Sequence, residues 1–206
     1  SAIVIARRMI LSDVCDNAVV VGVDTQNRFI TSGFASFKSL SDEVCRPYDA
    51  SRCGLNLGEA CGAILLTRNR LSGSDVAISG GAITDDANHI SGPSRTGDGL
   101  YFAMRRAMDE AGVLQQKLDM LQMHGTATAY NDEMESKAAS LAGLQDVPAQ
   151  SLKPYFGHTM GASGVIETII AAEELKRGVC AGTAGFSELG VPMPLNVSAA
   201  NRELGE

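Results

Sequence analysis

The stretch DMLQMHGTATAYNDEME, residues 119–135, decides how this chain is read. Residues 119–123 are predicted to form a short strand that runs into His124. Gly125, Thr126, Ala127 and Thr128 follow, and a helix is predicted from Asn131 or Asp132 to about Leu144. Asp132 and Glu135 have the spacing of a capping box, which makes them helix-start and structural groups. An imidazole in a small-residue loop at a strand end is open to a substrate, because glycine lets another backbone come close.

The stretch KPYFGHTMGASGVIE, residues 153–167, repeats the arrangement. A strand near 150–153 enters it, His158 sits among Gly157, Gly161 and Gly164, and a helix from about Gly161 to Lys176 leaves it. The chain holds three histidines, so two of them stand in such loops. The third, His89, lies in a polar stretch over 84–97 and reads as a solvated or structural loop residue. Two neutral imidazoles that converge donate two N–H bonds to one oxygen, which stabilises an enolate or thioester oxyanion or trades protons with it. A Lys153–Glu167 pair is expected to fix the second loop and tune its charge. The Thr126 and Thr128 hydroxyls bond either a polar ligand arm or the local backbone. No serine, cysteine or lysine stands in a nucleophile elbow.

Elsewhere, helices are predicted over 2–12 and from about Gly99 to Ala111, the latter with Asp98 as N-cap and Gly112 at its C-terminal end. Strands are predicted over 18–23, 60–67, 75–80 and 180–184. The stretch that follows the 18–23 strand, through Gly33-Phe34 to Asp49, reads as loop-rich, and the tail from Pro192 as irregular. Alternation of strands and helices makes the class α/β, with a mixed or mostly parallel sheet. A faint echo relates the helix at Ser1 and its strand AVVVG to the helix at Ser163 and its strand CAGTAG, as two copies of one unit would. If so, a functional residue belongs before Ser1.

The 206 residues are 45% hydrophobic and 20% charged, an ordinary globular composition. The net charge of -7 argues against nucleic acid, although Arg7-Arg8 or Arg105-Arg106 form local basic pairs. No apolar run reaches the ~20 residues of a spanning helix, and no secretory signal is seen, so no membrane partner and a cytoplasmic location are expected. Five cysteines, Cys15, Cys45, Cys53, Cys61 and Cys180, lack metal-site spacing and fit reduced, buried or semi-buried thiols; no metal is expected.

These segments resemble the β-ketoacyl-acyl-carrier-protein synthases, condensing enzymes of the thiolase superfamily. That family's HGTxTxxxDxxE appears from His124 to Glu135, and its KxxxGHxxGAxGxxE from Lys153 to Glu167, with Ser163 where alanine is commoner. Arg46 to Ala60 is similar to RPFDxxRxGFxxGEG, with Tyr48, Leu55 and Ala60 as departures, and Ser32 to Ser41 is similar to GFxxxxALS. The resemblance implies a thiolase-like layered αβαβα fold, present in part: the end of an N-terminal half over 1–80 and an incomplete C-terminal half over 81–206. It implies decarboxylative Claisen condensation of malonyl carrier protein with an acyl group on a cysteine upstream of Ser1, in fatty-acid or polyketide-type synthesis. His124 and His158 would be the catalytic histidines, Lys153 and Glu167 their supporting pair. Thr126 and Thr128 would contact the pantetheine arm, and Phe34 would line the acyl pocket. The implied partners are an acidic acyl carrier protein, met by a basic patch at the pocket mouth, and a second ketosynthase subunit in a homodimer or heterodimer. No cofactor is implied beyond the carrier's phosphopantetheine arm. The family's nucleophile and its late GFGGxN strands have no counterpart here, so the chain alone is expected to be inactive. Two rivals are a thiolase, against which the HGT motif speaks, and a non-catalytic chain-length-type subunit. A cysteine just before Ser1 would favour the enzyme, a glutamine or glycine the partner.

Overall fold

The computed structural model describes residues 1–73, 75–88 and 92–205; His89 lies outside the described residues. Helix α1 (Ala2–Leu11) opens the chain and strands β1 (Asn17–Asp24) and β2 (Ala60–Thr67) pair antiparallel, Asn17 opposite Thr67 and Asp24 opposite Ala60. Alternation places Ala18, Val20 and Gly22 on one face with Ile64 and Leu66. Ala6 of α1 and Val165 and Ile169 of helix α6 (Ser163–Arg177) pack on that face. Gly22 and Gly62 lie opposite each other, and a methyl group on either would stand 2.8 Å from Val165 or Ile166. The missing side chains therefore let α6 approach the sheet. The other face carries Val19, Val21 and Val23 against Leu65, Ala63 and Cys61, and these residues are exposed.

Between the two strands runs helix α2 (Arg28–Ser36), in a region expected to be loop. Its signal was Asn27, whose side chain accepts the Ile30 N–H at 3.0 Å as an N-cap. The strand expected over 75–80 does not form a ladder. Two of its carbonyls are taken instead by the Arg7 guanidinium, which donates to Ile78 O at 2.8 Å and Ser79 O at 2.6 Å.

The second core belongs to a parallel three-stranded sheet in the order β3 (Leu121–Gln122), β4 (Pro148–Gln150), β6 (Asn196–Val197). Helices α3 (Asp98–Ala111) and α4 (Ala129–Leu141) supply Met108 and Ala139 to it, alongside Tyr48, Met123, Leu144 and Val197. Because β3, α4 and β4 form a βαβ unit with parallel strands, the α/β class holds. Gly112 closes α3 at φ 66° as expected, but Asp98 is inside the helix rather than its cap: Gly97 holds that position and Asp98 accepts the Thr96 hydroxyl. Helix α4 begins earlier than expected, after Thr128. A short helix α5 (Lys153–Phe156) precedes His158. The tail is less irregular than expected, since β5 (Val179–Cys180) pairs antiparallel with β7 (Arg202–Glu203) and β6 joins the central sheet.

Candidate active site

His124 leaves the end of β3, and the loop behind it is shaped by two buried carboxylates. Glu135 accepts the backbone N–H of His124 at 2.8 Å and of Gly125 at 2.7 Å. Asp132 accepts that of Thr126 at 3.0 Å and, across the chain, of Tyr48 at 2.7 Å. The two therefore do not form the expected capping box. One turn into α4 they face inward and satisfy loop N–H groups that have no ladder to join. Burial pushes Asp132 up to about 7, against the pull of its Tyr48 and Thr126 bonds and the Arg52 guanidinium. Burial raises Glu135 as well, opposed by its Gly125, Tyr48 and His124 bonds and by Lys153. Tyr48 is wholly buried and donates its phenol to Glu135 at 2.7 Å.

His158 follows Gly157, whose φ of 76° turns the chain back on the segment after Asn56. His158 N–H donates to Asn56 O at 2.7 Å and the Gly58 N–H donates to His158 O at 3.1 Å, a parallel bridge. Gly58 has no room for a side chain, since a methyl carbon there would lie 1.9 Å from Phe156 O. Asp24, at the end of β1, accepts the Gly161 N–H at 3.0 Å and anchors the far side of the loop.

The two imidazoles meet. Their ring centroids are 5.0 Å apart with planes at 83°. Lys153 lies beneath them, 1% exposed, and donates to Glu167 at 2.8 Å and to the carbonyl oxygen of His124. The pair expected between Lys153 and Glu167 is therefore present. The third ammonium proton faces His124 Nδ1 at 3.3 Å. An ammonium has no acceptor, so Nδ1 carries the lone pair and the His124 proton sits on Nε2. His158 Nδ1 likewise faces a donor, the Met160 N–H at 3.2 Å, which puts its proton on Nε2 too. Nε2 of neither ring has a hydrogen-bond partner among the described residues. Desolvation, then Lys153, pulls His124 down to about 3; its outer edge is exposed, and solvent tempers the effect. His158, half-buried, is pulled to about 3 by desolvation, His124 and Lys153, with Asp24 opposing. Both rings are thus neutral near pH 7. Burial raises Glu167, and Lys153 opposes it.

Thr126 and Thr128 stand beside His124, their hydroxyls 2.8 Å apart, with Asn131 donating to Thr128 at 3.0 Å. Phe34 is half-buried in α2, and its hydrogen bonds are backbone ones to Ser39, which do not tie it to the histidines. Sequence reasoning passed over four residues that shape the site: Asp24, Tyr48, Ser151 and Ser163. Ser151 binds the Gly125 carbonyl at 2.8 Å, and Ser163 Oγ lies 3.0 Å from His158 Nδ1. Tyr48 and Ser163 carried a signal, because each departs from the pattern of the family this chain resembles.

Residues 1–72 match the family described as the N-terminal domain of β-ketoacyl synthases, and residues 76–187 match its C-terminal domain. The chain belongs to the β-ketoacyl synthases. A putative mitochondrial 3-oxoacyl-[acyl-carrier-protein] synthase of Schizosaccharomyces pombe is 32% identical to this ketoacyl synthase chain over 185 residues, 81% of it and 43% of the relative. A ketosynthase in complex with its chain length factor from Xenorhabdus doucetiae superposes with a TM-score of 0.92 at 31% identity, covering 99% of this chain and 51% of that one. A β-ketoacyl synthase from Burkholderia phymatum superposes with a TM-score of 0.91 at 26% identity, covering 98% and 52%. The fold is therefore that of the thiolase-like ketosynthases. The chain spans about half the length of the relatives it matches. Among the described residues no helix is long and apolar enough to cross a membrane.

Proposed function

We propose that this chain carries the histidine half of a condensing site, in which malonyl carrier protein is decarboxylated and joined to an acyl group held as a cysteine thioester. The observation that carries the reading is the convergence of the two rings, 5.0 Å apart, with a donor facing Nδ1 of each. With Nδ1 of each occupied by an inward donor, both Nε2–H groups are available to one thioester oxygen. As the malonyl C–C bond breaks and carbon dioxide leaves, its electron pair becomes an enolate whose oxygen takes the charge. Two neutral N–H donors stabilise that oxyanion without giving up a proton. The enolate carbon then attacks the acyl thioester, and the cysteine sulfur leaves as thiolate. Lys153 and Glu167 hold the His124 side of the pair, and Thr126 and Thr128 are assigned to the pantetheine arm that delivers the malonyl group. Phe34 is assigned to the acyl end of the pocket. An acyl carrier protein and a second ketosynthase subunit, identical or not, are the partners in this reading, and the cytoplasm is its setting.

The likeness to a ketosynthase bound to its chain length factor also favours a second reading, a pocket-shaping subunit that does not condense. The retention of both histidines with Lys153 and Glu167 favours the enzyme. The test uses the full-length protein with acyl and malonyl carrier protein. His158→Ala should abolish 3-oxoacyl product and largely spare acylation of the cysteine. Condensation by the variant at near wild-type rate would overturn the role of His158, and absence of any product with the wild type would favour the subunit.

A further inference from the structure

We propose that Ser163 is a positioning residue that locks His158 in the tautomer with its proton on Nε2; the consequence for rate rests on the ketosynthase reading above. Ser163 is the first residue of α6, one position inside the N-cap, which is Ala162 and offers no side-chain oxygen. The helix has no side-chain cap, and the Ser163 hydroxyl is free of that duty. Its Oγ lies instead 3.0 Å from His158 Nδ1 and 3.1 Å from Thr159 Oγ1. Both hydroxyl residues are buried, Ser163 at 4% and Thr159 at 0% exposure, so their protons go to protein acceptors.

The direction of this chain is fixed at one end. The Met160 N–H already points at Nδ1 from 3.2 Å, so that nitrogen is an acceptor. Ser163 must therefore donate to Nδ1, and Thr159 donates to Ser163. Met160 keeps its N–H in place with a backbone φ of 46°, a left-handed conformation that side-chain-bearing residues rarely adopt. Alanine, the commoner residue at position 163 in the resembling pattern, would leave Nδ1 with the single, longer Met160 bond. Reversal of the tautomer would turn a lone pair from Nε2 toward the oxygen that gathers negative charge. This chain thus guards against reversal with a second donor.

The tautomer is read directly from long-range proton–nitrogen correlation spectra of the full-length protein with nitrogen-15 histidine, alongside malonyl-carrier decarboxylation kinetics. In the wild type, His158 should show Nδ1 bare and Nε2 protonated. Ser163→Ala should shift His158 toward a mixture of tautomers and lower kcat about three- to tenfold, with KM unchanged. Thr159→Val, which removes the donor behind Ser163, should move both readouts the same way by less. A wild-type proton on Nδ1, or an unchanged tautomer in Ser163→Ala whatever its rate, would overturn the assignment. A wild type that shows the lock yet never decarboxylates malonyl carrier protein would sink the ketosynthase reading and leave the lock standing.

Discussion

Tyr48 is where one hydroxyl changes the character of a core position. The phenol is buried beside Glu135, and desolvation, then the Glu135 and Asp132 charges, keep it far from ionising. It serves as a donor to a carboxylate that already carries two loop N–H groups. Tyr48→Phe restores the residue of the resembling pattern but takes a hydrogen bond from a buried charge. We expect a loss of about 1.5–3 kcal/mol in urea unfolding. His158 makes a pH-dependent contribution of definite sign. Free, it takes a proton as the pH falls through 6.5; folded, it does so at about 3. Between those values the unfolded chain binds the extra proton, so acid destabilises the fold through this ring, and above 6.5 the ring contributes nothing. His124, Lys153 and Asp24 are the charged or titratable groups that act on it, and they remain in a His158→Asn variant. That variant should lose less stability than the wild type from pH 6.5 to pH 5, by about 2 kcal/mol at most. Equal losses measured by urea unfolding at the two pH values would show that the ring is not held neutral.

At the scale of elements, the site depends on a segment with no catalytic side chain. Residues 56–58 bridge to His158 on both sides, through Asn56 O and the Gly58 N–H. Gly58→Ala forces a methyl into Phe156 O and should cost about 1–3 kcal/mol by displacement of the loop, read as a lower urea midpoint. Legibility in the sequence divides along similar lines. Both histidine loops, α6 and the two strands β1 and β2, though not their antiparallel pairing, were readable because apolar periodicity, glycines and spacing act locally. Helix α2 was not, since Ile30, Thr31 and Gly33 dilute a helical pattern and only the Asn27 cap marks it. The expected strand over 75–80 failed for the opposite reason. Its composition suits a strand, but pairing is decided by neighbours, and here Arg7 takes two of the carbonyls. Asp132 and Glu135 had the spacing of a cap, and the distant Tyr48 decided their use.

Across the whole molecule, the outer face of the antiparallel β1–β2 pair is the boldest surface feature. Val19, Val21 and Val23 are 66%, 58% and 57% exposed and lie together with Leu65. Both strands also have a free edge among the described residues. An apolar face beside open edges favours association. The 206-residue chain by itself should sediment with a mass that grows with concentration, and Val21→Lys should weaken that growth. A concentration-independent monomer would show that the face is tolerated by water. The bridge at Asn56 and Gly58 has a consequence for protein engineers. Grafting the two histidine loops onto a foreign scaffold would carry over the imidazoles but not their aim, unless the arm around residues 46–59 travelled with them. The smallest transplantable unit of this site is four separate pieces of chain, counting the end of β1 that supplies Asp24, and the 46–59 arm contributes nothing but backbone to the ring it holds.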